Sequence, residues 1–271
     1  MMLGKAVRME RIFNRNTGRT IIVPLDHGVT VGPIYGLVDL RDTVNQVAEG
    51  GANAVLMHKG LPRCTDRGAG RDVGLIIHIS ASTSLSPYPN TKILVGSVED
   101  AIRLGADAVS VHVNLGDENE RYMLESLGAI TTRASEWGMP VLAMMYARGP
   151  KVENEYAPDV VRHCARVGEE LGADVVKVNY TGDPETFERV TECCCIPVVI
   201  AGGPRMDDDL QLLCMAHDSL AAGGAGLSVG RNIFQHREPG RLAAALEAIV
   251  HQGASVEQAQ AVLAGEDSVP G

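Results

Sequence analysis

Residues 172–180 read Gly172-Ala173-Asp174-Val175-Val176-Lys177-Val178-Asn179-Tyr180, the end of an amphipathic segment running into a short apolar one. Glycine supplies the left-handed turn that stops a helix, and the valines behind it start a buried strand. The same Gly-Ala-(Asp/Asn)-x-Val phrase stands at Gly51–Val55 and Gly105–Val109, with a weaker form, Gly-Ala-Gly-Leu, at Gly224–Leu227. Each copy closes a helix and opens an even-numbered strand. Four copies, spaced by about 50 to 70 residues, predict four doublets and hence eight β/α units.

Working outward from these copies gives the full set. Strands are expected at 20–26, 54–60, 74–80, 108–114, 141–146, 175–180, 197–203 and 226–231, and the short run Lys92–Val95 is assigned to a connection. Helical patterns fill 39–50, 98–105, 118–138, 158–172, 184–193, 207–223 and 239–252, several with Ser, Asp or Pro at the start and Gly at the end. Alternating strands and helices predict parallel βαβ units. An open dinucleotide-binding sheet would want G-x-G-x-x-G after the first strand, and residues 26–33 read DHGVTVGP instead. The expected architecture is α/β: one (β/α)8 TIM barrel over 1–271, with an N-terminal extension, 1–19, and a C-terminal tail, 253–271.

Composition fits that frame. Apolar residues make up 45% of the 271 and aromatics only 4%, so the core must be aliphatic, as parallel strands favour. A net charge of −10 argues against nucleic acid as partner but not against an anionic substrate, because a few arginines and backbone N–H groups can reverse the local field. No apolar run is long enough for a bilayer, and the N-terminus, MMLGKAVRMERIFNR, has no signal-peptide core. A cytoplasmic protein without a membrane partner is expected. The six cysteines, including the run Cys193–Cys195, show no metal-ligand spacing and are read as reduced thiols.

Function in such barrels gathers at the C-terminal ends of the strands. Of five lysines, only Lys177 lies inside an apolar strand. If it points into the barrel, Val176 and Val178 point out. Burial lowers an ammonium's pKa, and the neutral amine is the form that attacks a ketone. A structural lysine paired with Asp26 is the equally open alternative. Gly202, Gly203, Gly230 and Arg231 follow the seventh and eighth strands, the recurrent phosphate position of this fold, and offer backbone N–H groups and a guanidinium. Tyr146 ends the fifth strand and Asp26 the first, placing a proton donor and acceptor near Lys177. His27, His58, His78 and His112 have no helical HxxxH pair and read as hydrogen-bonded histidines rather than a metal site. Met144-Met145 and Trp137 read as core filler and a helix end.

Asp26-His27-Gly28, Met145-Tyr146-Ala147-Arg148-Gly149, Lys177 with Tyr180-Thr181-Gly182-Asp183, Ala201-Gly202-Gly203-Pro204 and Val229–Gln235 together resemble the archaeal-type class I aldolase family, over roughly residues 4 to 252. The resemblance implies Lys177 as Schiff-base lysine, Tyr146 as proton donor and Asp26 as acid/base. It implies phosphate held by Gly202, Gly203, Gly230 and Arg231, and a substrate path lined by His27, Gly28, Ala147 and Arg148. It also implies a homo-oligomer with no cofactor and no metal. The reaction it points to joins L-aspartate 4-semialdehyde to a phosphorylated ketose fragment or dihydroxyacetone phosphate, feeding an aromatic precursor. A class I fructose-1,6-bisphosphate aldolase and a non-catalytic sugar-phosphate-binding barrel are the alternatives. Arg148, Arg63 and Arg67 could bind either acceptor.

Overall fold

The computed structural model describes residues 2–65 and 70–266. Eight parallel strands close into a barrel: β1 (Thr20–Pro24), β2 (Ala54–His58), β3 (Gly74–His78), β6 (Ala108–Leu115), β7 (Val141–Ala147), β8 (Val175–Val178), β9 (Val198–Ala201) and β10 (Gly226–Ser228). They follow one another around the ring in chain order, and β10 returns to pair with β1. The connection after β3 holds a two-stranded antiparallel ladder, β4 (Ser80–Ala81) with β5 (Ile93–Leu94), in which Ser80 faces Leu94. The run assigned to a connection thus carries a strand of its own.

The expected helices appear as α3 (Leu40–Glu49), α4 (Val98–Arg103), α5 (Glu120–Glu136), α6 (Pro158–Glu170), α7 (Pro184–Thr191), α8 (Asp209–Ala221) and α10 (Pro239–Gln252). Four more lie outside the expected set: α1 (Leu3–Ile12), α2 (His27–Val31), α9 (Arg231–Phe234) and α11 (Val256–Ala264). The segment read as an extension therefore contains α1, and the one read as a tail contains α11.

Strand alternation sorts the core into two layers. Ile22, Leu56, Ile76, Leu142, Val175 and Val199 fill the barrel lumen. Ile12 and Phe13, at the end of α1, join that inner cluster and plug its N-terminal end. Val176 and Val178 belong to the outer layer under the helices, so Lys177 points inward, in register with Met144 on one side and Val199 on the other.

The repeated phrase has a structural job. Gly51, Gly105 and Gly172 hold φ of +95°, +73° and +91°, the left-handed turn that glycine adopts without strain. Two residues on, the Asn or Asp grips the start of the preceding strand in the ring. Asn53 Oδ1 accepts from Ile21 N at 2.7 Å, Asp107 Oδ2 from Leu75 N at 2.9 Å and Asp174 Oδ2 from Val141 N at 2.9 Å. Their own N–H groups donate back to the carbonyls of the same three residues. Arg11 and Lys5 of α1 then pair with Asp107 and Asp174 at 2.7 and 2.9 Å. The fourth copy departs from this: Gly226 replaces the acid, and the left-handed glycine is Gly223, one residue before the phrase.

Asp107→Ala strands the Leu75 N–H and leaves Arg11 with Asp72 but without its partly buried partner, so it should cost about 1–3 kcal/mol of stability. Asp107→Asn, which keeps an acceptor, should cost less. Urea unfolding midpoints of the two variants check this, and equal midpoints would show that the side-chain bridge is dispensable.

Candidate active site

The C-terminal ends of the strands surround a cavity of about 320 Å³, within the range of small-molecule sites. Lys177 reaches it from β8 with 6% of its surface exposed. Burial lowers its pKa to about 8; Asp26 pulls the other way, and Arg148 and Arg231 add to the depression. More of this lysine is therefore neutral amine near neutral pH than of an exposed one.

Asp26 stands at the N-cap of α2, but its side chain caps nothing there. Its oxygens lie 3.5 Å from His27 Nδ1 and 3.9 Å from His78 Nε2. Burial favours its neutral form, yet His78, His27, Lys177 and His58 together outweigh that and hold it well below the ordinary carboxylate range. Lys177 forms no ion pair within 4 Å with any described carboxylate, so the partner that a structural lysine would need is not in place.

Histidines form much of the wall around Asp26. His58 Nδ1 faces the His78 carbonyl at 3.1 Å, so this nitrogen carries the proton and Nε2 is left as an acceptor. His78 Nδ1 meets Ser110 Oγ at 2.7 Å, and burial takes its pKa down to about 4. His112 Nε2 contacts Asn114 Oδ1 at 2.9 Å and is pushed well below the usual histidine value by burial. These rings are neutral at physiological pH. No three His, Cys, Asp or Glu side chains among the described residues converge as a metal-binding set.

Tyr146 lies inward on β7, next to β8. Burial raises its pKa, so the phenol keeps its proton at any working pH. The Arg148 guanidinium sits over its ring, 4.7 Å from the centroid, and Arg148 Nε donates to Glu155 Oε2 at 3.2 Å. Asn179 Nδ2 reaches the same carboxylate oxygen at 3.2 Å.

The ends of β9 and β10 are tied to each other through their carbonyls. Asn232 Nδ2 donates to Gly202 O at 2.7 Å and Arg231 donates to Gly203 O at 2.9 Å. The N–H groups of Gly202, Gly203 and Gly230 have no acceptor among the described residues, and all three glycines line the cavity. A Cβ on Gly230 would stand 2.6 Å from Pro24 O and 2.8 Å from His27 Cε1, so no other residue fits. Unpaired donors beside a guanidinium make an anion cradle.

Of the residues singled out from sequence, Lys177, Tyr146, Asp26, His27, Arg148, Gly202, Gly203, Gly230 and Arg231 meet at this cavity. Two do not line it. Ala147 follows Tyr146 on β7 and so packs outward into the helix layer, and Gly28 lies a residue deeper in α2. Arg63 sits in a helical turn, Pro62–Cys64, away from the cavity, and Arg67 lies outside the described residues. Sequence reasoning missed Ser228, whose buried Oγ has no partner, and Lys92, buried in the β3–β6 connection. Ser228 could have been found by counting two back from Gly230 on the lumen face. Nothing in the pattern around Lys92 marks it.

Comparison with known proteins agrees with this geometry. Residues 20–236 match the model of the DeoC/LacD family aldolases. A Streptomyces griseus protein named 2-amino-4,5-dihydroxy-6-oxo-7-(phosphonooxy)heptanoate synthase is 40% identical over 95% of this chain and 94% of its own length. An Archaeoglobus fulgidus 2-amino-3,7-dideoxy-D-threo-hept-6-ulosonate synthase is 45% identical over 95% of each chain. Among solved structures, an archaeal fructose-1,6-bisphosphate aldolase with its catalytic lysine bound to the carbinolamine intermediate superposes with a TM-score of 0.82. It is 33% identical, and the match covers 91% of this chain and 99% of that one. The chain belongs to the DeoC/LacD aldolase family and is a class I aldolase that forms carbon–carbon bonds.

Proposed function

We propose that the protein condenses L-aspartate 4-semialdehyde with dihydroxyacetone phosphate or the equivalent fragment of a phosphorylated ketose, through a Schiff base on Lys177. One observation carries this reading: a buried, inward lysine opens on the same cavity as the N–H groups of Gly202, Gly203 and Gly230, and among the described residues neither it nor they have an ion-pair or hydrogen-bond partner that would occupy them. The Streptomyces griseus relative's product name supports the substrates. A 4-hydroxy, 6-oxo heptanoate disconnects as an aldol between C4 and C5. The halves are a four-carbon amino-acid aldehyde and a three-carbon phosphorylated ketone. The fructose-bisphosphate aldolase neighbour favours a second reading, with glyceraldehyde 3-phosphate as acceptor.

In this reading the Lys177 amine attacks the ketone carbon to give a carbinolamine. Tyr146 donates its proton to the departing hydroxyl, and water leaves as the C=N bond forms. The protonated imine draws electrons from the adjacent carbon. Asp26, kept ionised, takes that carbon's proton and leaves an enamine. The enamine carbon attacks the aldehyde carbon, the new alkoxide is protonated, and water returns to release ketone and free amine. The anion cradle holds the phosphate throughout. We also place the enzyme in the cytoplasm as a homo-oligomer, on the family resemblance; no described helix is long and apolar enough to cross a membrane.

Borohydride added with dihydroxyacetone phosphate should fix an adduct on Lys177, located by peptide mass, and Lys177→Ala should lose adduct and turnover alike. Tyr146→Phe should slow turnover by about 10²–10⁴-fold while still allowing some trapping. An enzyme that stays active and unlabelled would exclude the imine. Arg231→Ala should raise the KM for the phosphorylated ketone about tenfold or more, the loss of one charge-assisted contact. An unchanged KM would put the phosphate elsewhere.

The initial trapping rate should rise with pH and level off above about 8, as Lys177 loses its proton. Asp26 favours the ammonium, so Asp26→Asn should shift that inflection to lower pH. A shift to higher pH would show that Asp26 does not act on Lys177 in this way.

A further inference from the structure

Lys92 lies in the connection between β3 and β6, directly before β5, and is 9% exposed. The β4–β5 ladder and Val95 N→Ile79 O, 2.8 Å, fix this segment against the barrel. Asn114 Nδ2 donates to Asn90 O, and Thr91 Oγ1 donates to Asp117 Oδ1 at 2.9 Å. A long connection is thus anchored at both flanks of one lysine.

The ammonium so held has only neutral partners. Its Nζ donates to Ser82 Oγ and, at 3.4 Å, to Pro89 O, while Ser82 Oγ itself donates to Pro89 O at 2.6 Å. An ammonium has three N–H groups, so one remains for the cavity that Lys92 lines. No described carboxylate lies within 4 Å of it. Arg148, a second cation on the same cavity, is near enough to depress its proton affinity further, on top of burial. Arg148 spends Nε on Glu155, and its two terminal nitrogens have no described acceptor. Arg148 thus has Glu155 as an anionic partner but keeps donors free, whereas Lys92 is a buried cation with none within 4 Å among the described residues, and a bound anion would satisfy the spare donors of both.

Their place in the ring says which part of a substrate that would be. The phosphate loops follow β9 and β10, while Lys92 follows β3, four strands from β9 and three from β10 in the eight-stranded ring; Lys177 on β8, and Tyr146 on β7 with Arg148 just after it, lie on the arc between β9 and β3. When the donor ketone is bound to Lys177, its phosphate-bearing carbon lies on one side of the carbonyl and the bond-forming carbon on the other. The aldehyde therefore extends away from the phosphate loops.

We propose that Lys92 and Arg148 form the subsite for the anionic end of the aldehyde acceptor. This rests on the Schiff-base reading above and adds the acceptor half to it. The anion is the carboxylate of an amino-acid aldehyde or the phosphate of a triose, since both offer oxygens to the same donors.

The test compares kcat/KM for L-aspartate 4-semialdehyde, D-glyceraldehyde 3-phosphate and uncharged D-glyceraldehyde, with dihydroxyacetone phosphate as donor. Lys92→Gln keeps a donor for Ser82 and removes the charge; Lys92→Met removes both; Lys92→Arg restores the charge. Preference for a charged over the uncharged aldehyde should fall about tenfold or more in the first two and recover largely in the third. Loss confined to aspartate semialdehyde identifies the anion as carboxylate, and loss confined to glyceraldehyde 3-phosphate identifies it as phosphate. Borohydride trapping of the donor alone, done on every variant, reports the other half of the site. Normal trapping with unchanged preference in Lys92→Gln overturns the subsite, whereas failure of the wild-type protein to trap overturns the Schiff-base reading instead.

Discussion

An amine that must lose its proton near neutral pH has to leave water without acquiring a carboxylate at its side. That constraint on Lys177 organises the upper half of the barrel. Burial lowers its pKa to about 8, and an ion pair would undo much of the effect. Asp26, whose charge does act on Lys177, lies toward His27 and His78 instead, 3.5 and 3.9 Å from their ring nitrogens. The histidines around it are themselves neutral, so they satisfy polar contacts without adding charge that would hold the proton on or off the lysine. Raising Lys177 out of this setting, or bringing Asp26 onto it, would restore an ordinary ammonium and remove the proposed nucleophile.

Such an interior can exist because the opposite end of the barrel supplies stability independently. There Ile12 and Phe13 plug the lumen, and Asn53, Asp107 and Asp174 each clamp the beginning of a neighbouring strand. The clamps also receive Lys5 and Arg11, so α1 is held by the acids that align the strands. Rigid strand starts fix the register all the way up, and with it the inward direction of Lys177 at one end and Tyr146 at the next.

Much of this was legible in the chain. The Gly-Ala-(Asp/Asn) phrase announced both the helix stop and the strand start, because the left-handed turn demands glycine and the clamp demands an acceptor. Alternation tied the direction of Lys177 to that of its valine neighbours without choosing between them. The structure places Val176 and Val178 in the outer layer, and the same rule shows why Ala147, beside Tyr146, faces out. What alternation does not reach is a residue delivered by a connection. Lys92 is placed by a two-residue ladder and by hydrogen bonds to Ser82 and Pro89, and short irregular segments carry no period to read. The plug was hidden for a different reason: α1 is a regular helix that buries only its last residue, so its pattern points to no packed face.

Charge distribution links the two halves of the site. The chain as a whole carries −10, yet Lys177, Arg231, Arg148 and Lys92 converge on one cavity where Asp26 and Glu155 are the acids. A cation placed beside Lys177 favours its neutral form, and Arg148 and Arg231 both do so. The arginines proposed to hold substrate anions are therefore also part of what frees the amine. On the proposed mechanism the amine must still be neutral when it attacks the bound ketone, so burial, the largest influence on Lys177 and one that a bound anion does not cancel, has to keep the proton off after the phosphate has offset part of the arginines' field.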